Sequence, residues 1–347
     1  MVGILCVHVL TGNLAKPGAG FFFLNWDLPL RHIDDDYLAA PHLASKKVAQ
    51  VSHMDLAENL EDTEKSKALF TWNINIAASN PEQTRLKNGL LREDLFTVAL
   101  DLFSTDTTDY ADFILPAASF LEFDDLVAGY FHLTLSAQVK VTEPIGQALP
   151  NQEIFRRLAR AMGYLESELY ENDEVILDKI MTKADLGETF NSLAIKGTIP
   201  VPKEPRIQFE DLNFSTPSGK IELTSNTAEA DGQPRIPMPE AGYRPKNSYL
   251  RLLSPASSWS LNSSFGNVSK IQDHASNATI LMHPEDATER SLAVGDSVLV
   301  SNATGQLHFI VQTGNTIPRS VVVVPKWRWP KNELYSANVN VLNSGNK

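Results

Sequence analysis

The chain has 347 residues, with 30 basic against 42 acidic side chains and a net charge of −12. It is long enough for roughly two or three domains, and its acidity argues against a polyanion such as nucleic acid as main partner. The single cysteine, Cys6, excludes an internal disulfide and any zinc or iron–sulfur centre built from several thiolates of this chain.

From the amino terminus, the run Gly3–Leu10 (GILCVHVL) is too short to span a bilayer and has no basic flank or stop-transfer continuation. It predicts a buried helix with Cys6 as a small core residue, ending at Thr11-Gly12-Asn13. Pro17-Gly18-Ala19-Gly20 is a backbone-permissive loop that a phosphate can approach, but it is not a complete phosphate-loop or dinucleotide fingerprint. Leu30 to about Lys67 is polar with a helical rhythm. Asp34-Asp35-Asp36 is expected to be a solvated helix start, because no histidine is placed to complete a metal site.

The most informative stretch follows. Ala68–Asn73 is an apolar run leading into a polar loop, Asn80-Pro81 predicts a helix reaching about Arg92, and Phe96–Leu100 predicts a second buried strand. Together they make a βαβ unit of ordinary size. Asp101, Phe103, Thr105 and Thr107 follow the second strand at once. Asp112–Leu115 predicts a third strand, stopped by Pro116, and Tyr110 and Ala111 close the crossover. In an open parallel sheet the loops leaving the carboxyl ends of adjacent strands form a ligand crevice. Two readings fit Asp101, Thr105 and Asp112: ligand contacts in that crevice, or caps and turns that satisfy backbone amides.

Beyond Glu122, the segment Tyr130–Val141 reads as irregular. Asn151 is expected to cap a helix over Gln152–Met162 closed by Gly163, and a second helix is expected at Asp173–Lys183. A Pro-rich linker covers Thr198–Arg206, Phe214–Leu223 reads as a turn feeding a strand, and a loop between Asp231 and Pro245 marks a boundary. From Ser248 the rhythm becomes that of a compact β-barrel. Its strands are expected at Arg251–Ser254, Thr279–Met282, Asp296–Val300, Gln306–Gln312 and Ser320–Val324, with a helix at Pro284–Ser291. The expected division is 1–150 partial α/β domain, 151–245 helical and linker segment, and 246–347 β-barrel.

Several segments together resemble the molybdopterin oxidoreductase, or dimethyl sulfoxide reductase, family: Thr11–Gly20 (TGNLAKPGAG), Ser79-Asn80-Pro81, Asp101–Glu122, Phe214–Leu223 (FSTPSGKIEL), Leu261–Asn267 (LNSSFGN), His283–Asp296 (HPEDATERSLAVGD), Asn302–Gly305 and Asn338–Leu342 (NVNVL). The resemblance covers nearly all of the chain but only the carboxyl-terminal half of a family enzyme. It implies an α/β fold, a Rossmann-like parallel-sheet domain followed by a carboxyl-terminal β-barrel of the double-psi type. It also implies a pair of molybdopterin guanine dinucleotides holding molybdenum or tungsten, and two-electron redox or oxygen-atom transfer on a small-molecule substrate. A [4Fe–4S] cluster is implied only if an amino-terminal half supplies it, since that half also carries the protein ligand to the metal. A missing or separately encoded first half is thus the implied partner. The alternative is a cofactor-binding module that alone turns over nothing.

Carried over by position, the resemblance places Asn80, Pro81, Asp101, Phe103, Thr105, Thr107 and Asp112 beside a guanosine diphosphate arm. Asp101 would accept from a guanine or ribose edge, Thr105 and Thr107 would donate to phosphate, and Asp112 would hold the loop by accepting backbone amides. Asn262, Ser263, Trp327 and Asn340 fall on the pterin side. Trp327 between Lys326 and Arg328 also suits a cation–π contact, and Asp296 after Gly295 suits turn chemistry. Two departures stand out: Ala77-Ala78-Ser79 where many members have a glycine close by, and an end at Lys347 where members usually continue. No residue of the chain is nominated as metal ligand. The compartment stays open, with the cytoplasm slightly favoured over export and no membrane span expected.

Overall fold

The computed structural model describes residues 2–21, 35–44, 48–129, 131–201, 207–238, 249–274, 278–326, 328–333, 335 and 337–345. In chain order the helices are α1 (Val2–Leu10), α2 (Asp35–Ala39), α3 (Leu56–Glu61), α4 (Ile76–Ser79), α5 (Gln83–Leu90), α6 (Asn151–Met162), α7 (Asp173–Lys183), α8 (Phe190–Lys196), α9 (Asn226–Ala230), α10 (Ser269–His274) and α11 (Pro284–Glu289). The strands are β1 (Ala68–Trp72), β2 (Phe96–Asp101), β3 (Phe113–Pro116), β4 (Asp125–Ala128), β5 (Thr134–Gln138), β6 (Thr198–Pro200), β7 (Arg251–Leu253), β8 (Thr279–Met282), β9 (Ser297–Ser301), β10 (Gln306–Thr313) and β11 (Val321–Val323). They fall into two compact units. One comprises Met1–Lys46, Ala118–Pro144 and Pro150–Gly242; the other comprises Lys47–Ala117, Ile145–Leu149 and Tyr243–Lys347.

The second unit holds the predicted parallel sheet, in the order β1-β2-β3 and parallel throughout, with Phe70 opposite Val98 and Val98 opposite Phe113. Val98, Ala99 and Leu100 are buried because β2 is the central strand. Ala57, Leu60, Ile76, Leu86, Leu90 and Leu95 form a core with α3 and α5. The helices approach so closely that a Cβ on Gly89 would lie 2.7 Å from Leu60 Cβ, a separation only glycine allows. The helix expected from Pro81 is broken in two. Asn80 ends α4 in extended geometry, Pro81 lies between the helices, and Glu82 precedes α5 at φ 50°.

The same unit contains all five barrel strands predicted, paired as one mixed sheet in the order β7-β11-β8-β10-β9. Leu307, Phe309 and Val311 alternate inward along β10 and meet Ile280, Met282, Val322, Val339 and Leu342. This is period-two patterning with one face on the core. At α11, Asp286 is 1% exposed. Its carboxylate accepts Arg319 Nε at 2.7 Å and the Ser320 N–H at 2.6 Å, which fastens the helix to the start of β11.

The first unit corrects several expectations. Thr134–Gln138, read as irregular, is a strand pairing antiparallel with both β4 and β6, and β6 lies in the expected linker. Asn151 does not cap α6. Pro150 occupies the cap position without a side-chain bond, and Asn151 Oδ1 is buried without a partner, whereas Gly163 closes the helix in the left-handed region as expected. Phe214–Leu223 forms turns and no strand. The expected buried helix α1 exposes Val7 and Leu10 by 57% and 70%. Among the described residues no helix is long and apolar enough to cross a membrane.

Candidate functional site

The carboxyl ends of β1 and β2 lie side by side, since Trp72 pairs with Leu100 and the Asn73 N–H donates to Leu100 O at 2.9 Å. Asn73 then turns the chain at φ 51°, a conformation asparagine tolerates better than most residues. Two loops leave this edge, 73–82 after β1 and 102–112 after β2.

Most polar side chains in these loops are occupied by protein. Asn75, 4% exposed, donates to Asp106 Oδ2 at 3.0 Å and accepts from the Thr107 N–H at 3.2 Å and the Thr107 hydroxyl at 2.9 Å. Thr107 Oγ1 in turn accepts the Ala77 N–H at 3.1 Å. Thr108 donates to Thr105 O, and Asn80 Nδ2 donates to His53 O at 2.8 Å. Asp112 accepts the Thr97 N–H at 2.7 Å while its own N–H donates to Thr97 O, so it extends the pairing of β3 with β2. Burying a polar group without a partner costs about 1–3 kcal/mol, which explains this saturation.

Two groups depart from it. Thr105 is 4% exposed and its hydroxyl is buried with no hydrogen-bond partner. The neighbouring Asp101 carboxylate is half-buried, and burial pushes its pKa above the ordinary carboxylate value. The Leu102 and Phe103 N–H groups and the Thr105 hydroxyl only partly oppose this, the hydroxyl standing outside the geometry of a full hydrogen bond. Phe103 beside them is 55% exposed.

The β-rich part of the unit reaches this edge through its carboxyl-terminal turns. Asn340 Nδ2 donates to Ala78 O at 2.9 Å and Ser79 O at 3.2 Å. Asn338 Nδ2 donates to the same Ala78 O and to Arg328 O at 2.7 Å. Asn338 also lines a cavity of about 190 Å³ in the β-rich part, with Ser257, Trp259, Lys326 and Arg328 among its walls. Arg328 is ion-paired with Glu333 at 2.6 Å. Asn262 adopts φ 52°, and Ser263 O accepts Trp329 Nε1 at 2.6 Å. The Trp329 ring packs so closely on Gly266 that no side chain fits there. Trp327 lies outside the described residues.

The structure therefore gathers Asn80, Pro81, Asp101, Phe103, Thr105, Thr107 and Asn340 in or against the loops that leave the carboxyl strand ends, sets Asp112 apart at the opposite, amino end of β3 beside Thr97, and puts Asn262 and Ser263 in a turn packed on Trp329. Asn75, Asp106, Lys331 and Asn338 were not singled out in the sequence. Asn338 had a signal in its spacing two residues before Asn340, whereas Asp106 was hidden between two threonines. Among the described residues no group of three or more His, Cys, Asp or Glu side chains could hold a metal ion.

Residues 3–161 match the family described as molybdopterin oxidoreductase, and residues 250–346 match the molydopterin dinucleotide binding domain. The chain is 31% identical over 330 residues to "Probable oxidoreductase YoaE" of Bacillus subtilis, covering 92% of this chain and 47% of that protein. It is 25% identical over 259 residues to the dimethyl sulfoxide/trimethylamine N-oxide reductase of Rhodobacter capsulatus, covering 65% of this chain and 31% of that one. Acetylene hydratase from Pelobacter acetylenicus shares the fold, with a TM-score of 0.69 at 21% identity over 96% of this chain and 47% of that one. The chain belongs to the molybdopterin oxidoreductase family. It spans at most about half the length of the relatives it matches, and its second matched domain supports molybdopterin guanine dinucleotide as the cofactor.

Proposed function

We propose that the chain is the carboxyl-terminal, dinucleotide-holding half of a molybdopterin-dependent oxidoreductase, and that the edge formed by the loops after β1 and β2 receives the guanine nucleotide end of the cofactor. The observation that carries this reading is the Thr105 hydroxyl, buried without a partner beside the half-buried Asp101 carboxylate. The neighbouring Asn75, Asp106, Thr107 and Thr108 are each bonded to protein. An orphan hydroxyl and an under-solvated carboxylate at parallel strand ends fit a ligand that brings its own N–H, O–H and phosphate oxygens. Asp101 would accept from a guanine or ribose edge, Thr105 would donate to phosphate, and the exposed Phe103 ring would lie against the base.

The five-stranded sheet is read as the curled wall of a double-psi β-barrel whose cavity takes the pterin side of the cofactor. There Lys326 and Ser257 would meet polar groups, and Asn338 and Asn340 would fix the cavity against the loop after β1. Asn262 and Ser263 would line the approach from their turn. When bound, the metal held by the cofactor supplies two-electron or oxygen-atom chemistry, and the protein supplies orientation and electrostatics. The protein ligand to the metal is assigned to the part of family enzymes that this chain does not span, whether in the same or a partner polypeptide.

The test is the content of protein purified from a molybdenum-competent host, measured as metal and as guanine released by acid. Both are expected, and Thr105→Val is expected to lower the guanine content about tenfold, as the loss of one buried hydrogen bond to a charged group would. A folded protein holding neither metal nor guanine overturns the reading.

A further inference from the structure

Asp106 is 3% exposed and joins the loops that carry Asp101 and Asn75 to the β-rich part. Its Oδ1 accepts the backbone N–H of Lys331 at 2.7 Å, and its Oδ2 accepts Asn75 Nδ2 at 3.0 Å. Asn75 passes the connection on through its oxygen, which takes both donors of Thr107, and the Thr107 hydroxyl holds the Ala77 N–H. Outside the network, the Lys331 ammonium bonds to Thr105 O at 3.0 Å and to Asp109 at 3.2 Å. One buried carboxylate thus ties together the loop after β1, the loop after β2 and the turn Pro330–Asn332 of the β-rich part. A carboxylate holds two N–H donors more strongly than a neutral carbonyl, and at this burial no water replaces a lost partner.

We infer that Asp106 is a positioning residue: through it the seating of the Pro330–Asn332 turn sets the shape of the loop bearing Asp101, Phe103 and Thr105, and so sets that loop's affinity for the nucleotide. The identity of the ligand rests on the cofactor reading, whereas the mechanical link stands on the hydrogen bonds alone. Lys331 is also three residues from Arg328, whose carbonyl oxygen takes Asn338 Nδ2, so a second route joins the cavity wall to Ala78. Occupancy of either place is therefore expected to tighten the other, as linkage requires.

The experiment uses the full chain, with GDP as probe for the nucleotide end and amide hydrogen exchange as the readout on protein alone. In Asp106→Asn an amide NH₂ confronts either the Asn75 NH₂ or the Lys331 N–H. The Thr107 and Ala77 amides are expected to exchange at least about tenfold faster, and GDP to bind about tenfold more weakly. The reciprocal double substitution Asn75→Asp with Asp106→Asn restores every donor–acceptor pair. The carboxylate at position 75 then takes both Thr107 donors and the amide at position 106, whose oxygen keeps the Lys331 N–H. Return of exchange and affinity to within about threefold of the natural chain is expected, which no additive loss of two buried groups would give. Lys331→Met, which keeps the N–H to Asp106, is expected to weaken GDP about threefold, and if Asp106→Asn does not fold the double variant decides the question by whether it restores folding and GDP affinity. Unchanged exchange at Thr107 in the single variants, or a double variant no better than Asp106→Asn, overturns the inference. Failure of the natural chain to bind GDP overturns the ligand assignment, and the exchange data still decide the link.

Discussion

Asp286 and Asp101 are both drawn out of water near strand ends of one unit, and the chain answers the two burials in opposite ways. At Asp286 burial alone would raise the carboxyl pKa, but Arg319 and the Ser320 N–H outweigh it and the value falls below the ordinary one. At Asp101 burial dominates over two backbone N–H groups and the Thr105 hydroxyl, with no cation among its partners, and the value rises. The first arrangement is complete in itself. The second is complete only when something else supplies donors, which marks it as a place for a ligand and the other as architecture.

The largest effect expected from this contrast is at the clasp. Asp286→Ala leaves Arg319 Nε and the Ser320 N–H without their acceptor, and removing one partner of a buried pair costs about 3 kcal/mol. Glu285 and Glu289 still hold the guanidinium, but these exposed contacts add little. Urea unfolding checks it, and a loss under about 1 kcal/mol would remove the clasp from the architecture. The pH dependence follows from the depressed value. The stabilisation is fully present above the unfolded carboxylate pKa near 3.9 and is lost as pH falls through the lower folded value. Acid unfolding of the natural chain should therefore be steeper than that of Asp286→Ala below about pH 4.

A smaller cost is expected in the loop network. Asn75→Ala strands Asp106 Oδ2 and the Thr107 N–H in a buried site, for a destabilisation of about 2 kcal/mol. Calorimetry of the two variants orders them. If Asn75→Ala were the costlier, the loops after β1 and β2 would rank as more architectural than the clasp.

How much of this was legible in the sequence depends on how far apart the partners lie. The strands β1, β2, β8 and β10 were readable because apolar runs end abruptly at Asn, Asp, Gly or Pro, and the ligand edge followed from the rule for parallel strand ends. Strand β5 was not, because its pairing with β6 joins Ser136 to Thr198 across the chain and β6 sits in a Pro-rich stretch. The break between α4 and α5 was hidden because Glu82 takes a left-handed conformation that no glycine announces. Asp101 and Thr105 could be proposed from position alone, whereas Asp106 acquires its role from partners 31 and 225 residues away.

The smallest expected effect separates the two carboxylates most sharply. Asp101→Asn keeps an oxygen for the Leu102 N–H, which Asp101 Oδ1 accepts at 2.8 Å, and removes the charge that burial disfavours. Because the folded pKa is raised, the folded state holds the Asp101 proton more tightly than the unfolded chain does. The favourable contribution is therefore present below the unfolded pKa near 3.9 and is lost as pH rises through the higher folded value. At neutral pH the natural charge costs stability, and Asp101→Asn is expected to raise stability by less than about 1 kcal/mol, a gain that shrinks toward zero in acid. The same substitution halves the acceptor capacity facing the nucleotide, so GDP affinity should fall while the melting temperature rises. Opposite signs are the pattern of a site held ready for a ligand at the expense of the empty fold. A variant that loses both stability and affinity at neutral pH would place Asp101 with Asp286 and erase the contrast.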